Sequence, residues 1–235
     1  MPTVLAASDA IADLLTGPLV SGEVIHRSGP AAYLRTDDGR VLALEEEGGI
    51  GLPIAARVDA LGTIAAGDAV AIGGIAPGRW WSANVPTIRP APTAIAQLRE
   101  LVEALPASDD PLERPLDDAD PLADPAAVVG LGPGLTPAGD DLVAGALVAL
   151  RAVGRHETAD RVVREAASVE HRTTPISAAL LREAAVGRAA QPLLRMLDAL
   201  IGPAAPIPAL DALVEVGATS GRWLARGLAF GLEQL

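Results

Sequence analysis

The chain has 235 residues, half of them hydrophobic but only 2% aromatic, and its formal net charge is −12. This acidity argues against nucleic acid as a partner, and the lack of cysteine excludes disulfides, zinc thiolates and thiol nucleophiles. The length suits one large domain or two small ones. A core built from Ala, Leu and Val favours closely packed helices.

The N-terminal sequence MPTVLAASDA has neither the basic nor the apolar region of a signal peptide. The longest apolar run ends at Arg151 and is far too short to span a membrane. We therefore expect a cytoplasmic protein with no membrane segment.

Residues 1–85 are predicted to form a β-rich module. A short helix over 1–16 comes first, and Asp38-Gly39 predicts a hairpin turn. Short β-like runs occupy 21–27, 31–35, 41–44, 56–60 and 69–73. Five or six such strands indicate a small antiparallel β barrel or sandwich. The segment 78–82, which holds Trp80 and Trp81, is expected to bridge the two halves.

Residues 86–235 are predicted to form a helical domain, which makes the chain an α+β protein. Segment 108–125 holds four prolines and seven acidic residues, and is interpreted as an acidic loop or lid. Helices are predicted over 92–105, from 137 onwards, and over 158–170, 175–185, 192–201, 208–216 and 222–232.

The most informative motif is GLGPGLTPAGDD at 130–141, followed by an apolar run to Leu150. Thr136 before Pro137 predicts a helix start, with the threonine as N-cap and the proline at the first helical position. Both faces of the following helix are apolar, so we expect it to be buried, with its N-terminus opening into a cavity.

Asp140 and Asp141 fall in the first turn of this helix and are the candidate catalytic residues. Buried carboxylates need hydrogen-bond donors, a cation or a ligand. Asp140 is favoured because Gly139 beside it permits close approach of a ligand to the backbone. In the alternative interpretation, one aspartate only offsets the helix dipole and the glycines only let the loop turn. The motif matches neither a P-loop nor a dinucleotide fingerprint.

Two other helix starts share this chemistry, one after Thr173-Thr174 and one at Thr219-Ser220-Gly221. Helix N-termini bind anions through unpaired N–H groups, so convergence of the three would form a phosphate or carboxylate site. Ordinary capping is the alternative. A magnesium ion on one of the two aspartates is a further candidate. The predicted ligand-binding residues are Gly132, Gly134, Thr136, Gly139, Arg172, Thr173, Thr174, Ser177, Thr219, Ser220, Gly221 and Arg222.

The sequence GLGPGLTPAGDDLVAG resembles the signature of a bacterial family catalogued as a domain of unknown function, DUF2877. Its best-known member is the AllH-type subunit associated with oxamate carbamoyltransferase in anaerobic allantoin breakdown. The resemblance extends to TTPISAALLREAAVG at 173–187 and VGATSGRWLARGLAFG at 216–231. Family members often have His after the first glycine of the last motif, where this chain has Ala218.

The resemblance implies carbamoyl transfer between carbamoyl phosphate and oxamate, or release of carbamoyl phosphate from oxalurate. It also implies FdrA-like partner subunits. Two alternative functions stay open. In the first, the chain is a non-catalytic assembly or regulatory subunit whose segment 108–125 contacts a partner. In the second, it is a small carboxylate- or phosphate-binding protein.

Overall fold

The computed structural model describes residues 2–202 and 206–234. The chain divides into two compact units, the first ending at Ala83 and the second beginning at Asn84. The α+β class is confirmed, with a sheet in the N-terminal part and a mostly helical C-terminal region. In the part of the chain that the structure describes, no helix combines the length and apolar character needed to cross a membrane.

The first unit contains one seven-stranded sheet in the order β6-β2-β3-β4-β5-β1-β7. Most neighbours are antiparallel, but β4 pairs with β5, and β1 with β7, in parallel. The sheet does not close into a barrel, because β6 and β7 stay at opposite edges. The strands are β1 (Val4–Ser8), β2 (Val20–Ser28), β3 (Ala31–Thr36), β4 (Val41–Glu45), β5 (Ala55–Val58), β6 (Ala69–Ile72) and β7 (Trp80–Trp81).

Two predictions for this unit are wrong. The first residues do not form one helix, because β1 pairs with β5 and buries three of its five residues, leaving only Ala12–Thr16 as the short helix α1. Pairing in the sheet outweighs the weak helical periodicity of a short segment. Segment 78–82 does not bridge the two halves, since it lies within the first unit and its tryptophan pair forms the edge strand β7 beside β1.

The second unit is built around one buried helix, α4. Fourteen of its fifteen residues are buried, as the all-round apolar sequence predicts. It packs closely on α9, where a Cβ on Gly227 would lie 2.0 Å from the carbonyl oxygen of Leu142. The helices are α2 (Pro92–Glu103), α3 (Pro125–Val128), α4 (Ala138–Ala152), α5 (His156–Ser168), α6 (Pro175–Ala185), α7 (Gln191–Ile201), α8 (Ile207–Val214) and α9 (Ser220–Leu232).

Candidate functional site

The three motifs singled out in the sequence meet at the N-terminus of α4. The hydroxyl of Thr136 lies 2.8 Å from that of Ser220 at the start of α9. From the start of α6, the Thr174 hydroxyl donates to the carbonyl oxygen of Leu135. Segments separated by about 40 residues in the chain therefore surround the first turn of α4.

Asp140 links the loop before α4 to the segment that begins α6 through hydrogen bonds. Its Oδ1 accepts the backbone N–H of Gly130 at 2.8 Å, and its Oδ2 accepts the hydroxyls of Thr173 and of Ser177, the latter at 2.6 Å. The side chain is buried, so these three protein donors replace the water that an ionised carboxylate would otherwise bind. Asp140 thus fixes the loop to α6 and positions its neighbours.

Asp141 lies beside it in a very different environment. The residue is 6% exposed, and its Oδ2 is buried with no hydrogen-bond partner among the residues described. Burial raises the pKa of Asp141 to about 8, with the charges of Asp140 and Glu113 adding to the rise and hydrogen bonds with Ser220 and Thr136 opposing it. The carboxyl group of Asp141 therefore keeps its proton to a much higher pH than a solvent-exposed aspartate does.

Glu113, from the acidic segment 108–125, is a third buried carboxylate at this place. It accepts the indole N–H of Trp223 at 3.0 Å and the hydroxyls of Thr219 and Ser108 at 2.7 and 2.6 Å. Burial alone would raise the pKa of Glu113, but these hydrogen bonds and the Arg222 guanidinium outweigh it and lower the pKa. Sequence reasoning missed this residue because nothing in segment 108–125 distinguishes one of its seven acids.

The two predicted anion-neutralising arginines are placed differently. Arg222 is largely buried over the ring of Trp223, lies 3.4 Å from Glu113 and donates to the carbonyl oxygen of Pro106. Arg172 is exposed, and its guanidinium donates to the carbonyl oxygen of Ala126. Only Arg222 thus contributes its charge to the carboxylate cluster.

The predicted caps fit one helix of the three. Thr174 is the N-cap of α6 and accepts the N–H of Ser177. The predicted N-cap role of Thr136 is wrong, because Pro137 occupies that position of α4 and Thr136 bonds Ser220 instead. Thr219 is the N-cap of α9 but gives its hydroxyl to Glu113, which draws segment 108–125 onto this helix start.

The two glycines inside the helix starts serve packing. A Cβ on Gly139 would lie 1.9 Å from the carbonyl oxygen of Val128, and one on Gly221 would lie 1.8 Å from that of Leu213. Their N–H groups donate to the carbonyl oxygens of Leu131 and Val216. The Cβ side of Gly139 is therefore filled by protein backbone and leaves no room for a ligand on that side.

Several unpaired N–H groups lie in the glycine loop, residues 130–137. Gly132 and Gly134 have φ of +105° and +94°, which glycine adopts without strain. Across the described residues, the N–H groups of Gly132, Gly134, Leu135 and Thr136 reach no protein acceptor. Gly134 is exposed, with nothing within 4 Å of the position of a Cβ. The glycine loop therefore offers free N–H donors for an anion.

Metal ligands are sparse here. Within residues 2–202 and 206–234, no three or more His, Asp or Glu residues are grouped so that they could hold a metal ion. Both oxygens of Asp140 already accept protein donors. A magnesium ion would therefore depend on Asp141 and water, and it stays a hypothesis. A cavity of about 260 Å³ lies elsewhere in the second unit, lined by Val102, Arg226 and Phe230 among others.

No solved structure matches this chain. The family comparison covers the region that contains all three motifs and both aspartates. The model of the family described as oxamate carbamoyltransferase subunit AllH matches residues 128–232, so this part of the chain is similar to that family, in agreement with the resemblance of the three motifs.

Proposed function

We propose that the chain is a subunit of an oxamate carbamoyltransferase system, acting on oxamate or oxalurate and carbamoyl phosphate, with Asp141 as the group that meets the substrate. The family match supports the association with this system. The observation that carries the site is the buried, unpaired Oδ2 of Asp141, at the point where the three motifs meet.

In carbamoyl transfer to oxamate, a carboxyl group at this site would accept a hydrogen bond from the amide and donate one to a carbonyl oxygen. The amide nitrogen of oxamate forms a bond to the carbamoyl carbon and loses a proton, while the bond from that carbon to the phosphate oxygen breaks. The ionised form of Asp141 accepts an amide N–H, and the protonated form donates to a carbonyl oxygen. With a pKa of about 8, both forms are accessible near neutral pH. The hydroxyls of Thr136 and Ser220 lie close enough to the carboxyl group to lower its pKa.

The negatively charged parts of the substrates need donors away from the carboxylates. Asp140, Asp141 and Glu113 would repel phosphate or a second carboxylate. The free N–H groups of the glycine loop supply neutral donors, and they suit the oxyanion that develops during transfer. A protonated Asp141 also lowers the repulsion. We therefore assign the anion to the glycine loop and the amide to Asp141.

We further propose that residues 1–85 and 86–235 are separate domains and that FdrA-like subunits are the partners. One observation favours the non-catalytic alternative: both oxygens of Asp140 and the N–H groups of Gly139 and Gly221 are paired within the protein. In that case the carboxyl groups at the start of α4 only hold the surrounding segments together, and segment 108–125 presents its acidic surface to another subunit. A third candidate, simple binding of small anions, needs only the glycine loop.

The test uses the intact chain, alone and with the neighbouring gene products. Phosphate release from carbamoyl phosphate is measured with and without oxamate, and thermal unfolding is measured with oxamate, oxalurate or phosphate. A ligand at 100 times its Kd adds about 2.7 kcal/mol to the free energy of unfolding. Asp141→Asn should abolish phosphate release and weaken the stabilisation by oxamate.

The matched control is Asp211→Asn, which removes an exposed carboxylate from α8 in the same unit. It should leave both measurements unchanged. Full phosphate release by Asp141→Asn would contradict the catalytic role. Stabilisation by phosphate with no response to oxamate would favour the binding protein. No response of the isolated chain to any ligand, together with activity of its partners in its absence, would favour the assembly subunit.

A further inference from the structure

Two buried N–H donors in the first unit have no acceptor. They are the Nε–H of Arg57 and the indole Nε1–H of Trp81, and neither reaches a hydrogen-bond partner among the residues described. Buried donors are almost always paired, because each unpaired one loses its bond to water without replacement. Two such donors close together therefore point to an absent acceptor.

Sheet register brings the two side chains to one face. Arg57 of β5 pairs with Ala6 of β1, and Trp81 of β7 pairs with Ser8 of the same strand. Ala6 and Ser8 are two residues apart and share a face. The small side chains between them let the guanidinium reach Trp81, with its Cζ 5.6 Å from the ring centre.

Arg57 has an ion pair with Glu45, but no hydrogen bond joins the two side chains. Arg57 is always ionised, and its Nη2 donates to the carbonyl oxygen of Gly49. Its counter-ion, Glu45, is 3.8 Å away, too far for a hydrogen bond. The carboxylate of Glu45 instead accepts the N–H groups of Gly51 and Leu52. Burial raises the pKa of Glu45, which weakens it further as a partner for Arg57.

We infer that Arg57 and Trp81 form a second binding site, for a small carboxylate, which is separate from the carboxyl groups at the start of α4. An ionised carboxylate has only acceptor oxygens, so it can accept from both donors and interact with the positive charge of Arg57. The two oxygens of a carboxylate can each accept one hydrogen bond of about 2.9 Å, one from each donor. Arg57 is 23% exposed, which leaves a route from solvent. The site lies outside residues 128–232, so it does not depend on the proposed function.

The experiment uses the full chain labelled with ¹⁵N. The sequence has three tryptophans, and two-dimensional NMR resolves their indole N–H signals; Trp81→Phe identifies the one from Trp81. Acetate is the probe, chloride the control for ionic strength, and acetamide the neutral control of the same shape. Acetate should shift the Trp81 indole and the Arg57 Nε–H signals saturably. The signal of Trp80, on the exposed side of β7, should stay in place.

Two variants test the donors separately. Arg57→Lys keeps the charge but removes the Nε–H, and should weaken acetate binding about tenfold or more, since hydrogen bonds to charged groups are strong. Trp81→Phe keeps the ring stacking without the N–H, and should reduce the stabilisation of the chain by acetate in thermal unfolding. The inference is overturned if acetamide or chloride reproduces the shifts, if the Trp81 signal does not respond to acetate, or if Trp81→Phe binds acetate as well as the original chain.

Discussion

Replacing Asp141 with Asn should stabilise the free protein, and increasingly so as the pH rises. In the folded state the pKa of Asp141 is raised from 3.8 to about 8. The unfolded chain therefore releases this proton at a lower pH than the folded chain does. Linkage then lowers the stability of the folded protein as the pH rises from 3.8 to about 8, and leaves it level above that. The Asn side chain has the same shape and no proton to lose.

The size of the effect follows from the pKa difference. Each pKa unit corresponds to about 1.4 kcal/mol, so a rise of about four units gives roughly 6 kcal/mol once the carboxyl group is ionised in both states. At pH 7 the variant should be more stable by roughly 4 kcal/mol. Near pH 4 the carboxyl group is protonated in the fold, and the two proteins should differ by less than about 1 kcal/mol.

Urea unfolding of both proteins at intervals from pH 4 to pH 9 measures this difference. The other carboxylates contribute equally to the pH dependence of both proteins. Subtracting one free energy of unfolding from the other at each pH therefore leaves the contribution of Asp141. The exposed Asp211→Asn variant should follow the original protein throughout. A difference that stays constant over this range would refute the assignment of a raised pKa to Asp141. A variant that is less stable at pH 8 would show that the ionised carboxylate has partners in the fold.

Three further predictions concern the same region. Asp140→Asn should destabilise the protein by about 1–3 kcal/mol at pH 8, opposite in sign to its neighbour, because an amide cannot accept all three donors; urea unfolding shows the sign. Gly139→Ala should cost about 3 kcal/mol or more through its clash with Val128, whereas Gly134→Ala should cost only about 1 kcal/mol for its positive φ; equal losses would contradict this. Glu113 has a lowered pKa, so its contribution is present above pH 4.5 and lost below it; Glu113→Gln should reduce the acid sensitivity of thermal unfolding, and an unchanged profile would contradict the assignment.

The helices of the second half could be predicted well because their starts carry local signals. Pro175, for instance, begins α6 as the sequence indicates, with Thr174 as its cap. The strands of the hairpin around Asp38-Gly39 are equally local. Strand β1 could not be predicted, because its partners β5 and β7 lie about 50 and 70 residues further along the chain. Parallel pairing of β4 with β5 and of β1 with β7 likewise leaves no short-range turn signal.

In the candidate site, too, local sequence signals predict some features, and long-range contacts determine the others. That Asp140 and Asp141 would both be buried follows from the apolar helix after them. Which of the two carboxylates has all its hydrogen bonds made depends on hydroxyl groups more than 30 residues away in the sequence. These are the hydroxyls of Thr173 and Ser177, which donate to Asp140. Glu113 is placed by side chains more than 100 residues away, from Thr219 to Trp223. Local patterns identify which residues are unusual, but long-range contacts decide what each one does.

The imbalance between the two neighbouring aspartates is itself an argument for function. Stability alone favours Asn at position 141, because an amide can accept from Thr136 and Ser220 without the cost of ionisation. The chain instead places a carboxyl group there, beside Asp140 and Glu113, whose charges raise its pKa further. A buried group with a strongly raised pKa and a free oxygen is costly for folding, and such costs concentrate at sites of binding or proton transfer. Asp140 and Glu113 are fully paired within the protein and hold the surroundings in place, whereas the Oδ2 of Asp141 has no partner among the described residues, which is why we propose Asp141 as the reactive group.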